Sequence, residues 1–85
     1  TKDYKRDLKR LANQPEILLS AEMIDVMHHL LNGKNLPEKY KDHALSGNWK
    51  GFRDCHIKND LVLIYHVNNE GLTLVRLNTH SEVFR

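Results

Sequence analysis

Six of the 85 residues are histidine, the side chain best suited to passing protons near neutral pH. Three of them stand near acids: His43 follows Asp42, His56 lies two residues after Asp54 and four before Asp60, and His80 comes late in the chain. Residues two apart on a strand project from the same face, so Asp54 and His56 would stand side by side. Phe52 and Lys50 would continue that row. Lys, Phe, Asp, His is an unusual row for a core, and the pattern alone favours a solvent-facing strand with an incidental aromatic. A metal site built from these His and Asp residues matches no standard zinc spacing. Cys55 adjoins His56, but neighbours on a strand point to opposite faces, so no Cys–His dyad forms and the thiol reads as a small core residue. His28 and His29, adjacent in a helical pattern, face different directions and read as ordinary helix residues. Arg76 precedes Asn78, Thr79 and His80. Its guanidinium would offer paired donors to a phosphodiester, or would form a surface salt bridge.

The elements that must position these residues fall in a simple order. Tyr4, Leu8 and Leu11 form one apolar stripe and predict a helix over Thr1 to Ala12. Its basic residues Lys2, Lys5, Arg6, Lys9 and Arg10 occupy an opposite arc of roughly 140°, at about 100° per residue. Asn13-Gln14-Pro15 breaks that helix. A second helix is expected from Pro15 or Glu16 to Asn32, with Ile17, Ile24, Met27 and Leu31 as its stripe, Met23 and Leu30 alongside, and Gly33 just past its end. Residues 34–48 read as irregular. Strands are expected over Trp49 to Ile57, Leu61 to Val67 and Leu72 to Leu77, joined by short turns rich in Asn, Asp and Gly, and Thr79 to Arg85 would add a short strand or tail. The expectation is an α+β domain of two layers: an N-terminal helical hairpin on an antiparallel sheet of three to four strands, with the other sheet face open.

The bulk composition fits one globular domain over residues 1–85, with 40% hydrophobic and 28% charged residues. Net charge is only +2, yet five of the first ten residues are basic, which suits a polyanion. A single cysteine cannot form an internal disulfide, no signal peptide is apparent, and the longest apolar run, Leu61 to Tyr65, is too short to span a bilayer. A cytoplasmic protein without a membrane partner is the expectation.

The run Tyr40-Lys41-Asp42-His43-Ala44-Leu45-Ser46-Gly47-Asn48-Trp49-Lys50-Gly51-Phe52-Arg53-Asp54-Cys55-His56 resembles the YafQ-type branch of the RelE/ParE toxin superfamily. The resemblance continues through Ile57 to Tyr65, reaches Arg76-Leu77-Asn78-Thr79-His80 and ends at Phe84. It implies a toxin of a bacterial type II toxin–antitoxin pair that enters the ribosome and cuts the messenger RNA being translated. It implies no cofactor and no metal, the messenger's own 2′-hydroxyl serving as nucleophile, and a small RelB/DinJ-like antitoxin as partner. Carried over by position, the family's catalytic residues fall on His43, Asp54, His56, Asp60 and His80. The family's sheet arginine falls on Arg76 and its C-terminal aromatic on Phe84; Lys50, Arg53 and the basic residues of the first helix are expected to contact RNA as well. Two departures stand out. Family members usually begin with a β-strand before the first helix, whereas this sequence starts at the helix, and Leu61 stands where a close relative has Trp. The alternative within the superfamily is a ParE-like toxin that acts by binding DNA gyrase.

Overall fold

In the computed structural model, which describes residues 1–84, the chain forms N-terminal helices packed on one face of a four-stranded antiparallel sheet. Helix α1 spans Lys2–Leu11. The Thr1 hydroxyl accepts the Tyr4 N–H at 3.0 Å, capping its first turn, and Tyr4, Leu8 and Leu11 face inward. The expected second helix is two: α2, Pro15–Leu18, and α3, Ala21–Leu31. Proline opens α2, Leu19 leaves helical geometry, and the Ser20 hydroxyl accepts the Met23 N–H at 3.2 Å to start α3 afresh.

That break resets the helical phase, so the stripe begun at Ile17 does not carry through. Met23 and Val26 are buried instead, while Ile24 and Leu31 are 60% and 72% exposed. The expected stripe was thus half wrong: Met27, Leu30 and Ile17 pack on the core, Ile24 and Leu31 do not.

A 3-10 turn, Glu38–Tyr40, leads to the short strand β1, His43–Ala44. The strand expected from Trp49 begins later. Gly47–Trp49 form a second 3-10 turn, and Gly51, at a φ of +94°, keeps the chain out of the sheet until β2, Arg53–Lys58. Lys50 therefore does not continue the Asp54–His56 row, whereas Phe52 packs with Val62 and Ile64 on that same face. Strands β3, Leu61–Asn68, and β4, Gly71–Thr79, follow in meander order β1-β2-β3-β4. The expected final strand or tail is a helical turn, α4, His80–Val83, because the Thr79 hydroxyl accepts the Glu82 N–H at 3.3 Å and caps it.

The strand register assigns the faces, since cross-strand partners share one. Cys55 pairs with Leu63 and Leu63 with Leu77, and these meet Leu11, Met23 and Val26 beneath the helices. Val62 and Ile64 point the other way. That second face is only partly open: Val83 of α4, with Trp49, Phe52 and Phe84, covers one part of it in a small apolar cluster.

Candidate active site

The register lines up the second face residue by residue. His43 pairs with Asp54, Asp54 with Ile64 and Ile64 with Arg76, one row crossing all four strands. In the neighbouring row His56 pairs with Val62 and Val62 with Asn78. Strand alternation thus brings His43, Asp54, His56 and Arg76 onto one surface from three separate strands.

At its centre Asp54 is 2% exposed. Its Oδ2 lies 3.8 Å from His43 Nε2, and its buried Oδ1 has no hydrogen-bond partner among the described residues. Burial pushes the Asp54 carboxyl up, and the imidazoles of His56, His43 and His80 draw it partway back. His43 is oriented from behind. Lys41, in the left-handed region at a φ of 51°, presents its carbonyl to His43 Nδ1 at 2.7 Å. A carbonyl only accepts, so Nδ1 carries the proton and Nε2 is the atom directed at the carboxylate. The His43 and His56 rings stand 6.4 Å apart.

His80 opens α4. Its backbone N–H donates to the Asp60 carbonyl at 3.2 Å, and its ring lies 4.7 Å from that of Phe84. Asp60, in the exposed β2–β3 turn, joins the site through this backbone bond. Phe84 is half-buried, 5.9 Å from the Trp49 ring.

Other expected RNA contacts are distributed differently. Arg53 pairs with Tyr65 and so lies on the helix-facing side, away from the histidines. There it donates to Asp42, Nη2 to Oδ2 at 3.0 Å, while the Tyr65 hydroxyl donates to the other oxygen at 2.5 Å. This places Arg53 outside the face that carries the histidines. Arg76 is on that face but clasped by Asp7 of α1: Nε donates to Oδ2 at 2.8 Å and Nη2 to Oδ1 at 3.2 Å. Burial pushes the Asp7 carboxyl up, but hydrogen bonds from Arg76, the Leu77 N–H and Asn78, with the charge of Arg76, outweigh it and hold the group below the usual carboxylate range. Lys50 is exposed after its turn, and Lys2, Lys5, Arg6, Lys9 and Arg10 line the outer surface of α1, with Arg6 paired to Asp3. Cys55 is fully buried, and burial pushes its thiol up to about 12, far from a nucleophile's range. Among the described residues no group of three or more His, Cys, Asp or Glu side chains is arranged to hold a metal ion.

The structural roles of Asp7, and of Asp42, read only as the acid before His43, did not emerge from the sequence. Asp7 left a signal, an acid inside the stripe formed by Tyr4, Leu8 and Leu11. Asp42 left none, because its partners come from β2 and β3.

A family model described as a bacterial toxin of type II toxin–antitoxin system, YafQ, matches residues 1–85. A Haemophilus influenzae relative named for the toxin YafQ is 49% identical over 87 aligned residues, covering 96% of this chain and 85% of its own length. The "mRNA interferase toxin YafQ" of Escherichia coli K12 is 47% identical over 49 residues, 58% of this chain; that match spans about half, 53%, of the relative. The E. coli DinJ-YafQ complex superposes with a TM-score of 0.84 at 31% identity, over 100% of this chain and 93% of that one. With the helices-on-sheet architecture shared as well, the chain belongs to the YafQ family of bacterial type II toxin–antitoxin toxins.

Proposed function

We propose that this chain is an endoribonuclease toxin that cuts messenger RNA on the ribosome, with a small DinJ-like antitoxin as its partner. The observation that carries the reading is the buried Asp54 carboxylate with His43 and His56 on one open face and His80 at its border. The mRNA interferase named among its relatives supports the substrate class.

Cleavage without a metal needs a base for the 2′-hydroxyl proton, an acid for the leaving 5′-oxygen, and positive charge for the crowded phosphate. The 2′-oxygen bonds to phosphorus as the P–O5′ bond breaks, leaving a 2′,3′-cyclic phosphate and a 5′-hydroxyl. His80 and His56 would move the two protons, with His43 the third candidate. Asp54 would face the imidazoles with its carboxyl group as they exchange protons with the substrate. Arg76 would stabilise the phosphate through Nη1, which takes no part in the Asp7 pairing. Phe84 would offer a ring face to a displaced base. The basic surface of α1 would meet ribosomal RNA phosphates.

The antitoxin would cover exposed apolar surface that an isolated toxin leaves wet. Leu19, Ile24 and Leu31 provide it, beside a groove of about 450 Å³ between α1 and α3.

The test is to map cut sites on a defined message with and without ribosomes, in the presence and absence of a chelator. Cleavage only on ribosomes, unaffected by the chelator and lost in His80→Ala, is expected. A His80→Ala variant that still arrests growth, with no cut messages from the parent chain, would sink the nuclease reading in favour of a binding toxin.

A further inference from the structure

We propose that Asp7, on α1 and far in sequence from every histidine, is a positioning residue of the cleavage site: it fixes Arg76 on the catalytic face and, through Asn78 and Thr79, the segment that presents His80. The inference rests on the nuclease reading for its catalytic consequence, and on geometry alone for the coupling.

A carboxylate 2% exposed in a helix is costly to bury, and left without donors it would oppose the packing of α1 on β4. Asp7 is instead met by four donors, all from three successive residues of β4. Oδ2 accepts from Arg76 Nε at 2.8 Å and from the Leu77 N–H at 2.9 Å. Oδ1 accepts from Arg76 Nη2 at 3.2 Å and from Asn78 Nδ2 at 3.0 Å. Only an acceptor on both oxygens satisfies this set; an amide at position 7 would turn an NH2 group toward two of the donors.

The donors are also the residues that matter to the site. Arg76 lies in the same cross-strand row as Asp54 and His43. Its edge is gripped at Nε and Nη2, which fixes the plane in which Nη1 points. Asn78 is oriented by the same carboxylate: with Nδ2 given to Asp7, its Oδ1 accepts the Thr79 N–H at 2.8 Å. Thr79 in turn caps α4, whose first residue is His80. One acid therefore ties the phosphate-binding guanidinium and the His80 turn to the same rigid helix, where the basic surface that would face ribosomal RNA also resides.

The experiment combines side-chain NMR of the purified chain with single-turnover cleavage on ribosomes, for Asp7→Asn, Asn78→Ala, Arg76→Lys and the Asp7→Asn/Arg76→Lys pair. In Asp7→Asn, at a temperature where circular dichroism shows it folded, the Arg76 Nε–H and His80 imidazole resonances should move while those of His43 hold. Its maximal cleavage rate should fall about 10- to 100-fold with half-saturation changed less than about threefold, as for a misplaced group. The paired variant should cut no slower than the slower single one, since both remove one placement. Should Asp7→Asn fail to fold, Asn78→Ala decides: the His80 signal should move and that of Arg76 should not. Unmoved Arg76 and His80 signals, or rate losses that multiply in the paired variant, would overturn the proposal. If the signals move as expected but the parent chain cuts no message on ribosomes, the nuclease reading falls and the positional coupling stands.

Discussion

Asp54 provides a sharp test, because stability and activity should respond to it in opposite directions. Its carboxylate is buried, with one oxygen lacking a partner and the other 3.8 Å from His43 Nε2. An unpaired buried acceptor costs roughly 1–3 kcal/mol, more when charged. In Asp54→Asn the oxygen remains unpaired but the charge is gone, so the lower end of that range, about 1 kcal/mol of added stability at pH 7, is expected. For a chain this long that raises the melting temperature by about 4–8 °C. The pH dependence has a definite sign. Burial raises the Asp54 carboxyl in the folded state, so its share of stability is fully present below the unfolded value and is lost as pH rises through the folded one. The gap between variant and parent should therefore widen from about pH 4 upward. Ribosome-dependent cleavage should fall about 100-fold or more, the scale of a lost acid–base partner. Urea unfolding at several pH values and cleavage of one message measure both halves. A variant destabilised at pH 7, or a stability gap that does not change with pH, would refute the argument that Asp54 is held charged at a cost for function.

Three further outcomes follow from the same structure. Asp7 is shifted the other way, so its contribution is present above the unfolded carboxylate value of about 4 and lost as pH falls; the stability gap between the parent and Asp7→Asn should close on acidification. Tyr65→Phe removes the hydroxyl from Asp42 and should cost about 1 kcal/mol in urea unfolding, with cleavage unchanged, because the Asp42–Arg53–Tyr65 cluster lies on the helix-facing side. Ser20→Ala should cost about 1 kcal/mol by loss of the α3 cap. Equal stability there would show that α2 and α3 are not separately started.

Much of the architecture, and one side-chain pair, was legible from residue type and spacing. The α+β order, the first helix with its basic surface, the two hairpins and the Asp54–His56 pair all depend on contacts within a few residues, where propensity and periodicity act. The resemblance to YafQ-type toxins rested on the runs from Tyr40 to Tyr65 and from Arg76 to His80 and on Phe84, read in order along the chain. What failed to show was phase and register. One hydroxyl at Ser20 restarts a helix and exposes Ile24 and Leu31, and one glycine at 51 delays a strand and removes Lys50 from the row.

Partnership across the sheet was the tertiary structure's to decide. Sequence alone left Arg76 between a phosphate ligand and a salt bridge; the fold places it on the face that carries Asp54 and His43 and in a salt bridge at once, with an acid 69 residues away. It sends Arg53, one residue from Asp54, to the opposite side. Local physics determines which side chains alternate along a strand, but only the pairing of strands and the docking of α1 on β4 determines which of them meet. The identity and spacing of the histidines were set by the sequence, and the common face of His43 and His56 by the register.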